Sequence, residues 1–135
     1  MTLLSASKVD LDRVLEKVDT LSNDALNALP FGMIQLDPGG KILKYNTAEG
    51  KLARRNPIEQ VGKNFFEDVA PCTKVRTFYG RFTEGVARES LHETFGFTFK
   101  FPHGLSQVAI TLFYSESTRS VWVLVSNASL PPSAP

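Results

Sequence analysis

The chain holds one cysteine, one tryptophan and two histidines in 135 residues. Each scarcity excludes something. A lone thiol, Cys72, makes no intramolecular disulfide, and with no export signal it fits a reducing cytoplasm. One Cys and two separated His are too few for an ordinary metal site. A Cys–His hydrolase would need Cys72 beside His92 or His103 with a third, orienting group, and no local motif supplies that set. The expectation is that the chain is not an enzyme. A net charge of +1 leaves no large electrostatic footprint for nucleic acid or an anionic membrane. No apolar run approaches the length that spans a bilayer. The opening MTLLSASKVD lacks the basic-then-apolar order of a secretory signal.

What is present is an average globular composition, 42% hydrophobic and 21% charged, with ten Phe. The length suits one domain with a real core. Residues 7–20 predict a helix. Ser7 and Asp10 have capping-box spacing, and Leu11, Val14, Leu15 and Val18 form one apolar stripe. Leu26 and Leu29 predict a second short turn. Two strand-like runs, 33–36 and 42–45, flank the turn Asp37-Pro38-Gly39-Gly40, which makes a hairpin. Residues 46–54 read as a short helix or turn with Asn46 as its N-cap, which Asn56-Pro57 breaks. Residues 62–71 read as a loop with one helical turn, and 78–91 as a helix. Three strands follow, at 92–101, 106–114 and 120–127. The tail ASLPPSAP reads as disordered. Strands and helices do not alternate, so the expected fold is α+β, an antiparallel sheet with helices packed on it.

This order, with ALPFGMIQLD (28–37), ILKYNTAEG (42–50), GKNFFEDVAPCT (62–73), FYGRFTEGVA (78–87) and the Trp122 strand, resembles a PAS domain and, more narrowly, the photoactive yellow protein family. The resemblance implies a PAS fold with about five strands. Residues 1–28 would form an N-terminal helical cap, 29–127 the photosensory core and 128–135 a tail. It also implies a blue-light receptor carrying p-coumaric acid (4-hydroxycinnamic acid) as a thioester on Cys72. Tyr45 and Glu49 would hold the buried phenolate, Glu49 protonated and able to pass that proton on. Arg55 would screen the pocket from solvent. Ala53 stands where the best-known members have a Thr that supports the Tyr. His103 falls at a Met that speeds recovery in those members, with Phe101 replacing a Tyr nearby. A slow, pH-dependent dark recovery is expected from His103. Phe65, Val69, Ala70, Phe99 and Phe101 are core residues first, and some also line the chromophore. His92 reads as a strand-edge residue without a role.

The residues support this chemistry. A buried anion needs strong hydrogen-bond donors. A Tyr hydroxyl donates, whereas a carboxyl donates only when protonated, and burial pushes its pKa that way. Four residues separate Tyr45 from Glu49, about one helical turn. The expected partners are a separate downstream signalling protein and, for maturation, a chromophore-activating ligase and a lyase. The rival reading is a light-independent PAS interaction module or a redox sensor using Cys72 alone.

Overall fold

The computed structural model describes residues 8–127, with side chains described over residues 11–126. Ser7 and the 128–135 tail, like half of the capping box, lie outside them. The first helix, α1 (Lys8–Glu16), stops earlier than the apolar stripe predicts. A 3-10 turn at Val18–Thr20 continues the path, followed by α2 (Asn23–Asn27), capped by Ser22. Leu11, Leu15 and Val18 are all buried, with Val14 packed beside them.

The hairpin joins β1 (Gly32–Leu36) to β2 (Ile42–Tyr45). Asp37 closes its turn: Oδ1 accepts from Gly39 N at 2.9 Å and Lys41 N at 2.8 Å. Gly40, at φ +95°, takes a backbone shape that side chains oppose. Next come α3 (Thr47–Ala53), α4 (Pro57–Gln60) and α5 (Arg81–Arg88). Asn56-Pro57 ends one helix and starts the next: Asn56 caps α4, and Pro sits in its first turn, where no N–H is needed. The long helix predicted over 78–91 is shorter. A π-helical turn (Arg76–Gly80) precedes α5, and Glu89 turns left-handed at φ 55° to stop it.

The strands β3 (His92–Phe101), β4 (Gly104–Ser115) and β5 (Ser120–Asn127) form the expected meander. Among the described residues the sheet has five antiparallel strands in the order β2-β1-β5-β4-β3. Its two faces bury two separate cores. The inner face joins Ile34, Leu36, Val121, Val123, Val125, Ile110 and Leu112 to the aromatic cluster of Phe65, Phe66, Phe78 and Phe82. The outer face carries Met33, Trp122 and Leu124 under the N-terminal helices. Alternation along β5 produces this division, since successive side chains point to opposite faces. His92 is not idle: it faces Asp12 of α1 at 3.6 Å and meets the Phe113 ring edge-on.

Candidate functional site

The site grows from one cap. Asn46 follows β2 in extended backbone, and its Oδ1 accepts from Glu49 N at 3.1 Å, starting α3. The same oxygen accepts from Met33 N at 2.9 Å. Its amide nitrogen donates to Leu26 O at 2.7 Å and to Phe31 O at 3.1 Å. One side chain therefore fixes α3 to β1 and to the N-terminal segment. α3 then lays Glu49 against the inner face of β1.

Glu49 is 2% exposed, and its Oε1 has no hydrogen-bond partner. Burial pushes its carboxyl up to about 8, so it is protonated at neutral pH. Tyr45, also buried, ends β2 one turn earlier. Burial raises its phenol further from ionisation, the Glu49 charge adds to that, and Arg55 opposes it. Tyr45 therefore stays a neutral donor. Arg55, half-buried, donates from Nη2 to Val69 O at 3.1 Å. Arg54 beside it is exposed, in left-handed backbone at φ 57°. The geometry thus separates the two adjacent arginines.

A second segment brings the thiol. Asn64 caps the π-helical turn Phe65–Val69, accepting from Phe66 N and Glu67 N, both at 3.0 Å. Pro71 opens a 3-10 turn, Pro71–Thr73. Buried Thr73 locks it by donating from Oγ1 to Ala70 O at 2.6 Å. Cys72 is thereby presented half-buried against the inner core, its sulfur accepting from Lys100 N at 3.5 Å. Tyr45, Phe65, Val69, Ala70 and Phe99 share that core, and Phe101 packs against it. Phe99 stacks on Phe101 at 5.1 Å, and Phe101 on His103 at 4.9 Å. His103 itself is exposed, with Nε2 3.2 Å from Leu52 O at the end of α3. Ala53 is buried and has no side-chain polar group to offer.

A family model described as PAS fold matches residues 23–128. The photoactive yellow protein of Halochromatium salexigens is 42% identical over 114 residues, covering 84% of this chain and 91% of that relative. The chain belongs to the photoactive yellow protein family. A second photoactive yellow protein, from Rhodothalassium salexigens, is 38% identical over 118 residues, covering 87% of this chain and 94% of its own. Among solved structures, the photoactive yellow protein domain from the sensor histidine kinase Ppr of Rhodospirillum centenum superposes with a TM-score of 0.78. It is 36% identical, over 82% of this chain and 96% of that one.

Within this photoactive yellow protein fold, three positions carry information that sequence patterns did not. Gly32 lies under Glu49 and looks in the sequence like any strand-opening glycine. Thr73 locks the Cys72 turn, and Asp19 holds the N-terminal segment. None has a local motif: Gly32 and Asp19 act through contacts distant in the chain, and Thr73 through a bond to Ala70 that no sequence signature marks. The residues present also fit an anionic aromatic group on Cys72. A buried neutral acid with an unpartnered oxygen is costly unless something accepts its proton. Tyr45 supplies a second donor. The core that Cys72 packs against is rich in aromatic side chains, Phe65, Phe66, Phe78 and Phe99 among them.

Proposed function

We propose that this chain is a blue-light receptor that carries p-coumaric acid as a thioester on Cys72 and signals to a separate protein. When bound, the group supplies visible absorption and a light-driven trans-to-cis change of its double bond. Everything else is the work of the chain. Tyr45 donates its hydroxyl proton in a hydrogen bond, and Glu49 holds a transferable proton on its carboxyl. Arg55, tied to the Val69 carbonyl, excludes water from that side. Phe99 and Phe101 wall the thiol, and His103 stacked on Phe101 closes the outer end.

Loss of the Glu49 proton leaves a carboxylate in a space that favours the neutral acid. An unpaired buried charge costs several kcal/mol, a large share of a domain's stability. The structure relaxes, and α3 moves with Glu49. Asn46 links α3 to Leu26 and Phe31, so the strain reaches the N-terminal helices, which are the elements that leave.

The observation that carries this reading is Glu49: buried, one oxygen unpartnered, its carboxyl pushed toward the neutral form by burial, and near Tyr45. A bare interaction module has no use for that arrangement. The test is an absorption spectrum after adding activated p-coumarate to the purified chain, with Cys72→Ser in parallel. A visible band that bleaches in blue light and returns in the dark, absent from the variant, is expected. No band in either protein would move the function to a light-independent module.

A further inference from the structure

Asp19, in the turn Val18–Thr20, accepts hydrogen bonds from four side chains at one end of the sheet. Ser115 Oγ at 2.5 Å and Ser117 Oγ at 3.0 Å reach Oδ2. Trp122 Nε1 at 3.0 Å and Thr118 Oγ1 at 3.3 Å reach Oδ1. The donors come from the end of β4, the following turn and β5. They are braced from behind: Thr118 Oγ1 lies 2.6 Å from Ser120 Oγ, which accepts from buried Gln35 Nε2 at 2.9 Å. None of the four is a cation, so the cluster is a set of converging neutral dipoles aimed at a carboxylate. Burial alone would raise the Asp19 pKa; the four hydrogen bonds outweigh it and hold the carboxyl below its ordinary 3.8.

Beside this cluster lies the outer apolar face, Phe31, Met33, Trp122 and Leu124, on which Leu11, Leu15 and Val18 sit. The surface is therefore matched to a helical segment with an apolar stripe that ends in an acid. The chain's own N-terminal segment is such a ligand, present at the high effective concentration of a tethered one.

We propose that Ser115, Ser117, Thr118 and Trp122 form a carboxylate-docking site, filled by Asp19 until the N-terminal helices leave. It then receives the acidic residue of a partner's apolar-striped helix. The timing rests on the light-driven release proposed above; the docking site does not.

The test uses the full chain with its chromophore and, as probe, a dye-labelled synthetic peptide of residues 8–20, KVDLDRVLEKVDT, with an Asp19→Asn copy. Asp19→Ala should bind the Asp peptide in the dark about ten-fold or more tightly than the wild type, whose tethered segment competes. The Asp peptide should bind at least several-fold better than the Asn peptide, because charge strengthens each accepted bond. Trp122 emission should move to longer wavelength in the variant. Unchanged emission with no peptide uptake, or equal binding of the two peptides, would overturn the proposal. Should Asp19→Ala fail to fold, the exposed-turn pair Ser117→Ala with Thr118→Ala replaces it. That pair should shift the emission and erase the preference for the Asp peptide; retention of both overturns the proposal equally. Peptide binding to Asp19→Ala in the dark, with none to illuminated wild type, supports the docking site and refutes release by light.

Discussion

Glu49 rests on a strand position that has no side chain. A Cβ built on Gly32 would lie 2.2 Å from Glu49 Oε1 and 3.2 Å from the Val125 Cβ. The carboxyl occupies the space a side chain would take, because Gly32 faces inward beside Val125 of β5.

Gly32→Ala should therefore push the Glu49 carboxyl off its position. Overpacking of this kind costs about 1–3 kcal/mol. If the proposed function holds, the pigmented protein should show a shifted absorption band as well, because the Glu49 proton would move relative to the phenolate. Gly96→Ala, with nothing within 4 Å, is the control and should leave the band in place. Denaturant midpoints and absorption spectra of the two variants decide the matter; a Gly32→Ala band identical to wild type would contradict the placement.

The stability of the chromophore-free chain should fall as pH rises. Below about 4.5, Glu49 is neutral both folded and unfolded and contributes no pH dependence. Above it the unfolded chain ionises, while burial keeps the folded carboxyl protonated until about 8. The penalty therefore grows across that interval, toward roughly 5 kcal/mol at its upper end. Glu49→Gln should remove this slope. Urea titrations between about pH 5 and 9 measure it, and equal slopes in the two proteins would clear Glu49.

Asn46→Ala should destabilise both halves of the molecule together. It deletes a helix cap and leaves Met33 N, Leu26 O and Phe31 O without their partner. Losing the cap and orphaning buried groups costs about 2–4 kcal/mol. Hydrogen exchange should show α2 and α3 opening as one unit. Protection lost only in α3 would mean that Asn46 does not couple them.

His103→Ala should change dark recovery rather than colour. The ring stacks on Phe101 and contacts the Leu52 carbonyl, outside the buried pair of Tyr45 and Glu49. Flash photolysis of the two proteins measures the recovery; an unchanged rate in the variant would clear His103 of any part in it.

Much of the fold was legible because its signals are local. The turn at 37–40, the Asn46 cap and the alternation along 106–114 and 120–127 depend on near neighbours. The helix ends were less so. α1 stops at Glu16 although the apolar stripe runs to Val18, because a 3-10 turn also keeps Val18 on the buried side. α4 was missed since Asn-Pro reads equally as a stop and as a start. At the site, the run of Tyr45, Glu49 and Cys72 was visible as a motif. The role of Gly32 and of Asp19 was not, because their partners are 17 and about a hundred positions away.

β5 separates the two cores by residue parity. Val121, Val123 and Val125 face the core that Tyr45 shares and Cys72 packs against, and Trp122 and Leu124 face the N-terminal helices. The partition between them is one backbone thick. Under the proposed function, colour and output would be tuned by different letters of the same five-residue word: the odd positions would adjust what the molecule senses, and the even ones what it tells.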